Sequence, residues 1–287
     1  MRDAPHRRSA LKHWLAGGDR QARLSDDLAG RRLYGDDLTP EELQRWYERE
    51  AEAYAAMAGP SDDGGYGDHA LNRRHMYAHL PAHRFGHVLL FGGAAGEELL
   101  PIAHCVDRAT ILDSSQTYGT AALDLPVERV QARSDGDLPF EDATFDLITC
   151  FGVLHHIAGV SHVFAEMARV LRPGGFLLVR ETTVSMGDWS VPRPRLTPCE
   201  RGIPMWFFRR LVAASPFELV ASTRCMASGG AQVAKRLGLP RPFNSEVWVR
   251  LDALACRALS RNRIYHPTAQ WQRFRPLAVA LVLRKTG

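Results

Sequence analysis

H-V-L-L-F-G-G-A-A-G-E-E-L-L-P-I-A, running from His87 to Ala103, is the stretch on which the fold turns. Its apolar run, Val88 to Phe91, reads as a buried strand. The run stops at Gly92-Gly93, and beyond Gly96 the spacing of Glu97, Glu98, Leu99, Leu100 and Ile102 predicts the start of a helix. In open α/β sheets a strand, a turn of small residues and a helix bring backbone N–H groups and a helix N-terminus up to a nucleotide-like ligand. Only residues without bulk permit that approach. On this stretch alone, an ordinary turn between strand and helix competes with that reading.

The chain beyond the turn alternates. Thr110 to Leu112 reads as a short strand ending in Asp113, and Val127 to Ala132 as another that leads into S-D-G-D-L-P-F, Ser134 to Phe140. Phe145 to Phe151 is a strong strand, Val160 to Leu171 a helix broken by Pro173-Gly174-Gly175, and Phe176 to Val179 a strand. Phe217 to Ala221 and Leu277 to Leu283 add two more, the last following Pro276 in a way that suits an edge hairpin. Strands alternating with helices predict a mostly parallel sheet covered on both faces.

Upstream, residues 1–36 are arginine-rich, with Trp14, Leu15, Leu24, Leu28 and Leu33 suited to one or two short helices. A stronger helix starts after Thr39, with Pro40 first and Glu42 three residues from the cap, and carries Leu43, Trp46, Tyr47 and Tyr54 towards Gly59-Pro60. The aromatics pack an amphipathic face or form a lid over a substrate. Ser61 to Asp68, which contains Tyr66, is too glycine-rich for regular structure, and Asn72 to Leu80 reads as a helix ending at Pro81. These elements predict an N-terminal helical cap over 1–84, an α/β core over 85–226, an inserted cap over 227–275 and a final core strand over 276–287.

Composition narrows the classes. The chain of 287 residues is 45% hydrophobic and 24% charged, which fits a globular protein with a sizeable core. No apolar run is long enough to span a bilayer, and the basic N-terminus is not followed by a secretory apolar region. Cys105, Cys150, Cys199, Cys225 and Cys256 have no paired spacing, which argues against a zinc site or a disulfide framework and for a reducing cytoplasm. A net charge of +4 with scattered arginines argues against nucleic acid as partner.

The order of G-G-A-A-G (92–96), I-L-D-S-S (111–115), D-L-P-F-E-D-A-T-F-D-L-I-T-C-F-G-V-L-H-H-I (137–157) and E-M-A-R-V-L-R-P-G-G-F-L-L-V (166–179) resembles the class I S-adenosylmethionine-dependent methyltransferases, in the small-molecule branch often called type 11. The likeness is close over roughly residues 85–181. It implies a Rossmann-like sheet with an antiparallel last strand, S-adenosylmethionine as cofactor and S-adenosylhomocysteine as product. Gly92, Gly93, Ala94 and Gly96 would then meet the methionyl end and ribose through backbone amides. Asp113 would hold the ribose hydroxyls and disfavour a 2′-phosphate, although capping a following helix is its plainer role. Asp135 with Gly136 would read the adenine amino group, in competition with Asp137, and Ser114 and Phe151 complete the implied set. Two positions depart from the family pattern. Leu90 stands where an acid usually helps hold the methionyl ammonium, and Ala94 replaces the middle glycine. Glu97 or a polar residue of the N-terminal cap is the expected substitute for the acid.

Methyl transfer from a sulfonium demands alignment and exclusion of water, and a hydroxyl acceptor also needs its proton removed. Imidazole suits that task. His155 and His156 follow the fourth strand; His156 is the first choice of base, with a structural role for one of the pair as the alternative. No metal is expected among the site residues, a metal bridge from these histidines to a sugar diol being the lesser alternative because no paired carboxylate accompanies them. Tyr54, Tyr66, Trp189, Trp206 and His266 are candidates for the acceptor site, since carbohydrate rings stack on aromatic faces. Packing within a cap is the plainer account of these aromatics, and nearby arginines would equally suit a carboxylate or phosphate. The resulting expectation is a cytoplasmic methyltransferase, with a homodimer allowed for, that modifies a sugar or glycoside hydroxyl. Competing with it are methylation of an aromatic or amine natural product, and a degenerate cofactor-binding partner protein without turnover.

Overall fold

Phe91 ends the first strand because Gly92 takes a left-handed conformation at φ +69°, and the six other strands are laid out around that strand. The structure is a computed structural model describing every residue except 1–21, 58–64, 115–122, 190, 192 and 195, and the side chains of 54–57 also lie outside the description. Its strands are β1 (Val88–Phe91), β2 (Ala109–Asp113), β3 (Val127–Gln131), β4 (Phe145–Phe151), β5 (Leu171–Thr182), β6 (Phe217–Ala227) and β7 (Pro276–Lys285). They form one sheet in the order β3-β2-β1-β4-β5-β7-β6. The first five are parallel, and β7 runs antiparallel to both β5 and β6. β1 is buried along its whole length, which its unbroken apolar run anticipates for a strand covered on both faces. The β6–β7 pair lies at the sheet margin, but β6 is the edge strand and β7 is inside it. Pro276 is tolerated there because it is the first residue of its strand.

The helix expected after the glycine turn does not form. Glu97–Leu99 and Ala103–Cys105 are single 3-10 turns. Pro101 is the physical cause, since it lacks an N–H and its ring crowds the carbonyl four residues back. The glycine turn therefore has no helix dipole behind it, and the amides of Gly92 and Gly96, expected to face a ligand, are instead donated to Leu112 O and Gly93 O within the fold.

The helices are α1 (Pro40–Met57), α2 (His69–His75), α3 (Val160–Val170), α4 (Met205–Ala213), α5 (Gly230–Arg236) and α6 (Glu246–Leu259). Residues 22–28 are also helical. The capping pattern at Thr39 is realised: Glu42 N–H donates to Thr39 Oγ1, and Thr39 N–H donates to Glu42 Oε2. α3 and α4 bury Val163, Phe164, Met167, Phe207 and Phe208 on one face of the sheet. On the other face Leu71 from α2 and Val249 from α6 join Leu90, Ile111 and Val282. The segment between β6 and β7 thus contributes to the core as well as to the molecular surface. Among the described residues no helix is long and apolar enough to cross a membrane.

Candidate active site

β1, β4 and β5 are parallel neighbours, so the loops after Phe91, Phe151 and Thr182 open on one side of the sheet. Successive side chains on a strand point to opposite faces, so Arg180 and Glu181 at the end of β5 serve different clusters. Glu181 is 1% exposed. Its Oε1 accepts from the Val153 and Leu154 N–H groups, both at 2.6 Å, and its Oε2 lies 2.8 Å from His155 Nδ1. Burial pushes this carboxyl up, but His155 and the two N–H groups outweigh it and hold it below the usual carboxylate range. His155 Nε2 lies 3.7 Å from Glu200.

His156 is held in the same manner from a different element. Its Nδ1 lies 3.1 Å from Oε2 of Glu50, a buried residue of α1. Glu50 also accepts from Thr197 Oγ1 at 2.8 Å and Cys199 N–H at 3.0 Å, and these bonds, with His156, depress its carboxyl against the effect of burial. The two imidazole rings stand 4.1 Å apart. Arg201, fully buried, fixes the loop beneath them by donating to the carbonyls of Tyr34, Leu154 and Ile157. Trp46 Nε1 donates to His156 O and Tyr47 Oη to Ala158 O, so these aromatics of α1 are packed against the histidine loop. Trp189 stacks on Tyr34 and donates to Glu200 O. The Tyr54 side chain lies outside the described residues.

The expectation that no carboxylate accompanies the histidines is therefore overturned: Glu50, Glu181 and Glu200 converge on them from three separate segments. One ligand atom each from His155, His156 and Glu200 lie within 4.8 Å of one another, a donor set that could hold a divalent cation.

At the glycine turn the backbone explains the residue choices. Gly96 has φ +84°, and a Cβ on Gly93 would stand 2.6 Å from Leu90 Cβ. Ala94 occupies the left-handed region at φ +43°, a conformation that favours glycine. Asp113 and Arg129 clasp this residue: Ala94 N–H donates to Asp113 Oδ2 at 3.0 Å, and Arg129 donates to Ala94 O at 2.7 Å. Asp113 thus shapes the turn from the carboxyl end of β2, and Ser114 beyond it is exposed. Asp135 pairs with Arg133 and accepts from Asp137 N–H around Gly136, whereas Asp137 turns to His162.

Leu90 is buried in the apolar core, but the acid missing there arrives from elsewhere. Its register partner on β4 is Thr149, whose hydroxyl donates to Glu98. Glu98 is 4% exposed, and burial pushes its carboxyl up to about 7. The acid at the Leu90 level is thus Glu98, while the Glu97 carboxylate lies towards Gly65. Next to it, Arg180 donates to Asp68 at 2.8 Å and to Tyr66 Oη at 3.3 Å, and lies 5.8 Å from the centre of the Phe151 ring. Arg180 Nε and Asn72 Oδ1 are buried without partners. A carboxyl, an unmet amide oxygen and an unmet guanidinium N–H together suit a zwitterionic amino-acid end such as the methionyl group of S-adenosylmethionine.

Trp206 and His266 line a single cavity of about 430 Å³; Tyr66 and Trp189 are not part of it. Sequence reasoning missed Glu50, Glu98, Glu181, Glu200 and Arg201. The R-E pair closing an apolar strand was a usable signal for Glu181; the others depend on contacts between segments far apart in sequence.

Residues 89–179 match the family model described as a methyltransferase domain. Over 99 residues the chain is 34% identical to the uncharacterized methyltransferase YcgJ of Bacillus subtilis, covering 32% of this chain and 39% of that protein. A segment of 47 residues is 45% identical to demethylmenaquinone methyltransferase of Bacillus cytotoxicus, or 16% of this chain and 20% of that one. The chain thus spans well under half the length of these curated relatives. A Bacillus halodurans protein described as a methyltransferase superposes with a TM-score of 0.50 at 18% identity, over 74% of this chain and 97% of its own. A chain of the Haloferax volcanii complex between the Trm112 methyltransferase activator and its methyltransferase partner also gives 0.50, at 14% identity, over 88% of this chain and 100% of its own. At these identities the likeness is one of fold. The sheet has the Rossmann-like methyltransferase architecture, and residues 89–179 carry a methyltransferase domain.

Proposed function

We propose that the chain is an S-adenosylmethionine-dependent methyltransferase that acts on a hydroxyl of a small-molecule acceptor, with a sugar or glycoside as the leading class. The observation that carries the hydroxyl reading is the pair of imidazoles after β4, each held at Nδ1 by a buried carboxylate. The cofactor supplies a methyl group already activated by the positive sulfur. Glu98, Arg180 and Asn72 would hold its amino-acid end, and Asp113, at the carboxyl end of β2 beside the Gly92–Gly96 turn, would hold its ribose hydroxyls.

His156 takes the acceptor proton, and Glu50 orients the ring and stabilises the imidazolium that forms. His155, braced by Glu181 and Glu200, positions the loop beside it. Arg201 and Trp46 keep that loop rigid, so the base does not sample unproductive orientations. A second reading rests on the clustering of His155, His156 and Glu200: a divalent cation held there would bind the acceptor oxygen and favour its ionised form. Chelation decides between them, since turnover by the base mechanism survives it.

Calorimetric titration with S-adenosylhomocysteine, followed by an acceptor screen, tests the proposal. Micromolar binding that weakens at least tenfold in Asp113→Ala is expected. Absence of binding by the folded protein would sink it. An amine acceptor, in contrast to a hydroxyl, would tolerate loss of His156.

A further inference from the structure

We infer that the acceptor carries an oxyanionic group, a phosphate monoester or diphosphate, and that an arginine-lined cavity at the ends of β5 and β6 and the start of β7 reads it. This rests on the methyltransferase reading above. The cavity holds about 430 Å³, a small-ligand volume, and its lining includes Arg209, Arg224, Arg263, Arg275 and His266 but no carboxylate. Among the described residues the side chains of Arg209, Arg224 and Arg263 make no hydrogen bond or ion pair. Arg275 is 4% exposed, donates to Ile264 O, and leaves its Nε buried without a partner.

Four guanidiniums brought together with no carboxylate among the described lining residues repel one another, an arrangement that a folded protein maintains at a cost unless an anion completes it. The environment of Arg224 agrees: burial, then Arg263 and Arg209, hold it below the ordinary arginine range. The carboxylates that act on this wall are Asp188, which opposes the effect of burial on His266, and Asp27, which acts on Tyr265; neither is among the charges that shift Arg224 or Arg275. Guanidinium forks match phosphate oxygens in pairs, which makes phosphoryl groups the best fit.

The placement suits a substrate that reaches the methyl-transfer site. Thr183 and Val184 line the cavity and follow Glu181, the residue that holds His155, by two and three positions. Extended chain of that length covers roughly 7–10 Å. An acceptor with its anionic group among the arginines therefore presents a hydroxyl to the histidines across about one sugar ring. The Trp206 indole supplies an apolar wall alongside.

Inorganic pyrophosphate and phosphate are the probes, titrated calorimetrically into the full chain, with S-adenosylhomocysteine titrated in parallel. Pyrophosphate is expected to bind, more weakly as salt is raised, and Arg224→Gln and Arg263→Gln are each expected to weaken it about tenfold without changing S-adenosylhomocysteine affinity. A hexose 1-phosphate and a nucleoside diphosphate then distinguish monoester from diphosphate. Arg275→Gln is a third arm; if that buried substitution prevents folding, exposed Arg263 still carries the test. Wild-type protein that binds S-adenosylhomocysteine but neither phosphate nor pyrophosphate would overturn the inference and leave the methyltransferase reading intact. So would pyrophosphate binding that survives both arginine substitutions. Failure of S-adenosylhomocysteine alone would count against the methyltransferase reading, and pyrophosphate binding would then establish the anion site without the acceptor assignment.

Discussion

Replacing Glu98 by Gln removes a buried ionisable group while keeping an oxygen that can accept from Thr149. Burial raises the Glu98 carboxyl from 4.5 to about 7. Below pH 4.5 the group is protonated in folded and unfolded chains alike. As pH rises, the unfolded chain ionises first, so stability is lost through the interval up to about 7. A difference of about 2.5 pH units, at roughly 1.4 kcal/mol each, is about 3.5 kcal/mol in full, of which about 2.5 kcal/mol falls between pH 5 and pH 8. Glu98→Gln has no such dependence. The stability of the variant relative to wild type should therefore rise by about 2.5 kcal/mol from pH 5 to pH 8, or roughly 5 °C in midpoint temperature. Urea and thermal denaturation at both pH values read this directly. Because the methionyl ammonium favours the ionised acid, wild-type affinity for S-adenosylhomocysteine should improve from pH 6 to pH 8, and that of the variant should stay flat. Parallel pH profiles of stability for the two proteins would refute a raised carboxyl at Glu98 and remove the basis for its replacing the acid absent at Leu90.

His156→Ala should lower kcat by about 10²–10⁴ with S-adenosylhomocysteine affinity unchanged; a loss below tenfold in a steady-state assay would end the general-base role. Glu181→Gln should be less stable at pH 7, because Glu181 is held below the carboxylate range by His155 and two N–H groups despite burial. That contribution is present above pH 4.5 and lost as pH falls through the folded value, so the variant should also show a shallower acid limb in denaturant titrations. Arg201→Met should cost at least about 3 kcal/mol, measured by urea unfolding, since three buried carbonyls lose a charged donor. Ala94→Gly should raise the unfolding free energy slightly, by up to about 1 kcal/mol in urea denaturation, as relief of the positive φ exceeds the added chain entropy.

The methyltransferase fold was legible because its signals are local. The apolar runs of β1 and β4, the capping pattern at Thr39 and the glycines at positive φ act within a few residues, where backbone sterics and burial period leave few alternatives, whereas Pro173-Gly174-Gly175, read as the break after the helix, lies inside β5. The same local logic failed after Gly96, where the helical spacing of Glu97 to Ile102 was outweighed by one proline. The histidines and Asp113 were also visible, since their motifs are contiguous. What holds them was not. Glu50, Glu181 and Glu200 reach the histidine pair from α1, β5 and the loop before α4, and Glu98 reaches the level of Leu90 only because the chain turns back over β4. The arginines of the cavity come from α4, β6 and the segment entering β7. Charge placement of this kind is set by burial and by strand order, which are properties of the assembled sheet. By itself, the sequence determined the architecture and the residues that could react; the tertiary structure decided which carboxylates and cations surround them, because only packing brings distant charges into a common low-dielectric space.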